Sequence, residues 1–279
     1  METYELTAEL IASVLPNTLI SVDEETPLAE KLMPYYIRSY DLLREKLFFC
    51  EEPSPELAEK LSRVAVLHAF IKAVPALDIV ATPTGFAVVS SDGLVPASKE
   101  RVERLIAALT DNFRDSLLLL QAACIRDSGY RESVMGRHFC STFLPFLRDV
   151  SDMAGESDIF AVYDRARDIA HSFEVSLAVS HLGIAFMSEF RTGFYDGDYD
   201  VAHPVVAAIR AEVRRYVERH LKDGVYRCSN GSEVWLAAEA ILGVVRQDPA
   251  LKALWERSAA KLRKPEPFRN NVKGGYYFG

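Results

Sequence analysis

The sequence predicts a mainly α protein: helical bundles with one projecting β-hairpin at about residues 77–90 and an irregular C-terminal tail. Three observations predict it. Apolar residues recur every three or four positions through most of the 279 residues, the spacing of helices buried on one side. One stretch breaks that rhythm. Pro75–Lys99, PALDIVATPTGFAVVSSDGLVPASK, holds two short β-branched and aromatic runs on either side of Thr82-Pro83-Thr84-Gly85. The last residues, KPEPFRNNVKGGYYFG, follow neither period.

Taken in order, Leu6, Leu10, Ile11 and Val14 give a short amphipathic helix that stops before Pro16. Thr26 reads as an N-cap with Pro27 in the first helical position, opening a helix to about Phe49 in which Pro34 brings a kink or a later start. Ser54 caps the next helix, which carries Leu57, Leu61, Val64, Leu67, His68 and Ile71 and runs to Val74. The hairpin strands are Leu77–Val80 and Phe86–Val89, joined by a type I turn with Gly85 free to take positive φ. Ser98 then caps a long helix with Val102, Leu105, Ile106, Leu109, Phe113, Leu117 and Leu120 on one face.

Tyr130–Val150 reads as helix interrupted by Gly136 and Pro145. Asp152–Asp158 is a polar, Gly-containing linker. It sets the expected organisation: an N-terminal half with the hairpin, 1–151; a C-terminal half, 158–264; and a tail, 265–279; the two halves together could also form one domain. The second half predicts one long helix from Ile159 to Phe190, then helices from Pro204 to Leu221, Glu233 to Arg246 and Pro249 to Leu262. His68-Ala69-Phe70 precedes Thr84-Gly85-Phe86, and His171-Ser172-Phe173 precedes Thr192-Gly193-Phe194, so a duplication and chance reuse both fit.

Composition bounds the function. The chain is 49% hydrophobic and 26% charged, as in ordinary soluble domains. No apolar run reaches the roughly 20 residues of a membrane helix. The start, METYELTAELIASVLP, lacks the basic segment of a signal peptide. Cys50, Cys124, Cys140 and Cys228 show no CxxC pairing and read as reduced, buried thiols of the cytoplasm. The net charge of −8 is uneven: residues 1–60 carry 13 acids and 5 bases, whereas residues 252–279 carry 7 bases and 2 acids. This asymmetry favours docking of the two ends, within one chain or head to tail between copies. Overall acidity argues against a nucleic-acid tail.

The motif search returns no catalytic or metal site. Asp196, Asp198 and Asp200 match the start of a calcium loop, but Val201 stands where glycine is needed and Ala207 where the bidentate glutamate belongs. The six histidines have no metal-ligand spacing, and His68 and His171 sit among apolar helix residues as core or boundary histidines. P-loop, GxGxxG and GxSxG are all missing. Glu24-Glu25 and Glu51-Glu52 stand at helix starts, where the helix dipole favours acids. No catalytic residue, metal ligand or cofactor is assigned.

The string LDIVATPTGFAVVSSDGLVPASKERVERLIAAL, Leu77–Leu109, with the tail Gly274-Gly275-Tyr276-Tyr277-Phe278, resembles a family of uncharacterised structural proteins from phages and prophages of gut Bacteroidetes. That resemblance implies a non-enzymatic virion structural or assembly protein, a head–tail connector that self-associates head to tail. It places the chain in the host bacterial cytoplasm and the virion. The implied partners are copies of itself in a ring and other virion proteins such as portal or tail components, with no membrane and no specific nucleic-acid site. Rings need one face to meet a different face of the next copy. The hairpin residues Ile79, Val80, Pro83, Gly85, Phe86 and Val88 are one candidate surface, and Phe268, Arg269, Lys273, Tyr276, Tyr277 and Phe278 of the tail are another. The alternative is a monomeric or dimeric helical binding or regulatory protein of a mobile element. An enzyme of a class without short motifs is the third reading.

Overall fold

The computed structural model describes residues 5–15, 28–49, 51–77, 79–82, 85–88, 98–154, 158–223 and 231–257. The protein is mainly helical. It divides into two compact units. The first comprises Met1–Cys140 and Pro145–Phe160; the second comprises Ser141–Leu144 and Ala161–Gly279.

The first unit is built on three long helices. They are α2 (Leu28–Phe48), α3 (Pro55–Leu77) and α4 (Lys99–Arg126), with α1 (Ala8–Val14) packed against α2 and α3. Thr7 caps α1 by accepting from the Leu10 amide at 3.1 Å. The central turns of the middle helix, α3, are buried on nearly every side through Val64, Ala65, Val66, Leu67, Ala69 and Phe70, while Glu56, Glu59, Arg63 and Lys72 stay exposed. A helix apolar all round is one enclosed by neighbours. Its neighbours supply Leu32, Tyr36, Leu43 and Leu47 from α2, and Leu109, Leu117, Leu120 and Cys124 from α4.

Several local expectations change here. Helix α2 is already formed at Leu28, ahead of Pro34, so the later start does not occur, and α3 runs through Pro75 to Leu77, three residues past the expected stop. Ser98 occupies the N-cap of α4, but its side chain makes no cap hydrogen bond. Between α3 and α4, β1 (Ile79–Thr82) pairs antiparallel with β2 (Gly85–Val88), Thr82 opposite Gly85 and Ile79 opposite Val88. The pairing is offset from the Leu77–Val80 and Phe86–Val89 runs because α3 retains Leu77.

Two short helices, α5 (Ser128–Glu132) and α6 (Val134–Phe139), then turn against α2. Tyr130 donates to the Leu47 carbonyl at 2.6 Å and meets Phe48 edge to face at 5.5 Å. Gly136 permits the elbow, because a Cβ there would stand 1.8 Å from the Tyr130 carbonyl oxygen. Farther along, Gln121 of α4 is fully buried and holds the chain where it enters a 3-10 turn at Leu147–Asp149. Its amide donates to the Pro145 carbonyl at 2.8 Å and accepts from the Leu147 amide at 3.1 Å. A single turn, α7 (Ser151–Ala154), follows.

The second unit is built from α8 (Ile159–Leu177), α9 (Ile184–Asp196), α10 (Pro204–Asp223) and α11 (Gly231–Val245), with α12 (Pro249–Glu256) after them. Helix α8 begins two residues inside the first unit. The single long helix expected from Ile159 to Phe190 is broken. Ala178–Leu182 forms a π-helical turn, and Gly183 then takes φ +93, where side chains are strained. Its N–H donates to the Ala178 carbonyl at 2.9 Å, closing the turn. Phe173 stacks on Tyr216 with ring centroids 4.0 Å apart, and an Arg219–Glu233 ion pair joins α10 to α11. The two strings occupy different elements: Gly85-Phe86 opens a strand, whereas Gly193-Phe194 lies inside α9.

Candidate functional site

The two surfaces expected from the sequence lie mostly outside the described residues. Of the hairpin, Ile79, Val80, Gly85, Phe86 and Val88 are placed as backbone in β1 and β2, and Pro83 lies outside the description. The packing expected of these side chains lies outside it too. All six tail positions, Phe268, Arg269, Lys273, Tyr276, Tyr277 and Phe278, also lie outside the described residues. So does the Thr26-Pro27 helix start.

A dense polar cluster among the described residues carries no motif that marks it in the sequence. It surrounds Ser141–Leu144, four irregular residues whose backbone groups need partners once buried. Helix α8 supplies Glu174, whose carboxylate accepts from the Phe143 amide at 2.7 Å. Its other oxygen accepts from Arg191 of α9 at 2.7 Å. Arg210 of α10 donates to the Phe143 carbonyl, Tyr195 of α9 to the Thr142 carbonyl, and Tyr163 of α8 to the Leu144 carbonyl at 3.1 Å. The guanidinium of Arg191 lies 5.5 Å from the Phe143 ring centre, and that of Arg210 lies 5.4 Å from the ring of Phe194.

Glu174 is 1% exposed. Burial pushes its carboxyl up to about 7, against the opposing pull of Arg191, the Phe143 amide and Arg210. A carboxyl titrating near neutrality has the acidity of a general acid–base group. Here, however, one oxygen is bound to backbone and the other to Arg191, so the cluster acts as a clamp on the chain. A signal for it was present: Glu174 follows Phe173 on the α8 stripe of Ala170, Phe173 and Leu177, a charged residue in an apolar register. Gln121, between Leu117, Leu120 and Cys124, carries the same signal.

The remaining candidates resolve into structural roles. The Asp196–Asp200 string ends a helix: Gly197 takes φ +90 as the C-cap, and the Asp200 carboxylate accepts from the Ala202 amide at 2.9 Å. Among the described residues, no group of three or more His, Cys, Asp or Glu side chains could hold a metal ion. His68 is a half-buried boundary histidine bonded to Ser39 at 2.9 Å. His171 is exposed on α8, which corrects its expected place at the core edge. Burial pushes the thiols of Cys124 and Cys140 up to about 12, far from the reactive range. Glu51 accepts from the Val134 amide at 3.2 Å, and Glu52 pairs with Arg44 at 3.0 Å.

Residues 23–120 match the model of a family of unknown function, DUF6712. The match spans about a third of the chain and takes in α2, α3, both strands and most of α4. It lies wholly in the first unit. No curated protein and no solved structure matches the chain. Among the described residues, no helix is long and apolar enough to cross a membrane.

Proposed function

We propose that this chain is a non-enzymatic virion structural or assembly protein of a phage or prophage, a head–tail adaptor that associates head to tail. The observation that carries this reading is the β1–β2 pair. Among the described residues it is a two-stranded sheet set between two long helices, so each strand there has one edge without a sheet partner. Such a pair is marginal alone and gains most from a third strand, which a neighbouring chain can add along an edge. In this reading the hairpin projects, and the acidic N-terminal and basic C-terminal segments set the direction of association.

The test is light scattering coupled to size exclusion, over a concentration series at low and high salt. The expected result is a species of many copies that shrinks as salt rises, since charge between exposed groups is screened. Deleting residues 268–279, or replacing Ala81 and Val88, whose amides face the outer edges, with proline to block edge pairing, should each reduce the assembly. A monomer at every concentration and salt, also in the presence of portal or tail components, overturns the proposal.

A further inference from the structure

The first unit contains a cavity of about 410 Å³ that the assembly reading does not use. This is within the roughly 300–1,000 Å³ of small-ligand sites. Its floor is apolar: Leu43 from α2, Leu117 from α4, and Ile159 and Phe160 at the start of α8 are all buried and all line it. One wall is the His68 ring lying against Phe113, with centroids 5.0 Å apart. Burial and the charge of Lys72 hold this imidazole below its ordinary value, so it stays neutral near pH 7.

The rim is cationic. Lys46, Lys72 and Arg114 line the cavity with a single acid, Asp158. Neither Lys46 nor Lys72 has a hydrogen-bond or ion-pair partner among the described residues. We propose that this cavity binds a small amphiphilic anion, an apolar body carrying a carboxylate head, with the body on the Leu43–Leu117–Phe160 floor and the head between Lys46 and Lys72. The two halves of the site exclude simpler occupants. A neutral hydrocarbon would gain nothing from the two lysines, and an inorganic anion nothing from the apolar floor. The inference stands apart from the assembly reading, since a chain that never oligomerises retains the cavity.

Calorimetric titration of the full chain tests it, using sodium decanoate below its micelle concentration, decanol as the neutral counterpart and inorganic phosphate as the bare anion. Saturable binding of one decanoate per chain is expected, with decanol about tenfold weaker and phosphate silent. The Lys46→Gln/Lys72→Gln double variant should weaken decanoate about tenfold and leave decanol unchanged, and Lys46→Arg/Lys72→Arg should restore it. Circular dichroism of each variant separates lost binding from lost folding. The proposal is overturned if decanoate does not saturate, if phosphate binds as tightly as decanoate, or if the glutamine pair binds decanoate like the parent. Self-association that shuts decanoate out would instead assign the cavity to a second copy and overturn it equally.

Discussion

Pro145–Leu147 in the first unit is held by a neutral amide, whereas Thr142–Leu144 in the second, the residues just before it, is held by charge. Gln121 serves two backbone groups with one uncharged side chain that is fully buried. Glu174 serves one backbone amide and needs Arg191 to answer its charge. Both arrangements meet the same requirement, that buried backbone polar groups be paired. They differ in what burial costs. An amide loses modest solvation, whereas a carboxylate loses far more and recovers it only from a well-placed cation. The neutral clamp is therefore expected to be indifferent to pH and the ionic one responsive to it.

The strongest way to break this comparison is Glu174→Ala. It strands the Phe143 amide and the Arg191 guanidinium, so a loss of roughly 3 kcal/mol is expected in urea denaturation at pH 6, where the carboxyl is mostly protonated. A loss below about 1 kcal/mol would mean the clamp is solvated and the contrast empty. The pH response follows from the raised value of Glu174, about 7 against 4.5. A group whose folded-state value is raised contributes fully below its unfolded value and loses that contribution as pH rises through the folded one. Relative to Glu174→Gln, the parent should therefore lose up to about 3 kcal/mol between pH 4.5 and 8. Parallel thermal melts of the two proteins across that range read the difference, and superimposable curves would refute it.

Gln121→Ala comes next. Two backbone groups lose their partner together, and a loss of about 2–3 kcal/mol is expected, the same at pH 5 and pH 8. A pH-dependent loss would erase the distinction between the clamps. The smallest effect is expected at Tyr130→Phe, which removes one hydrogen bond to Leu47 and keeps the ring contact with Phe48. About 1 kcal/mol is expected, measured by chemical denaturation.

Much of the fold was legible in the residues because helices announce themselves by period. The apolar stripes of α2, α3 and α4 marked those elements, although the central turns of α3 are enclosed on nearly every side rather than along one stripe. The breaks were less legible. Ser180, His181 and Gly183 interrupt an apolar run, but nothing local distinguishes an exposed interruption from a π-helical turn that ends a helix. Gly85-Phe86 and Gly193-Phe194 share a string yet sit in a strand and a helix, because the surrounding segment, not the short string, decides the backbone state.

What the sequence determined by itself is the helical class, most helix cores, the uneven charge and the lack of a catalytic motif. These depend on periodicity and composition, which are local or additive. The tertiary structure alone decided that Ser141–Leu144 belongs with the second unit, that Glu174, Arg191 and Arg210 converge on it, and that Lys46, Lys72 and Arg114 share one cavity. Each of these joins residues from helices far apart in the chain. Their pairing is set by how those helices pack, and packing is chosen by the burial of the whole core rather than by any short run of residues.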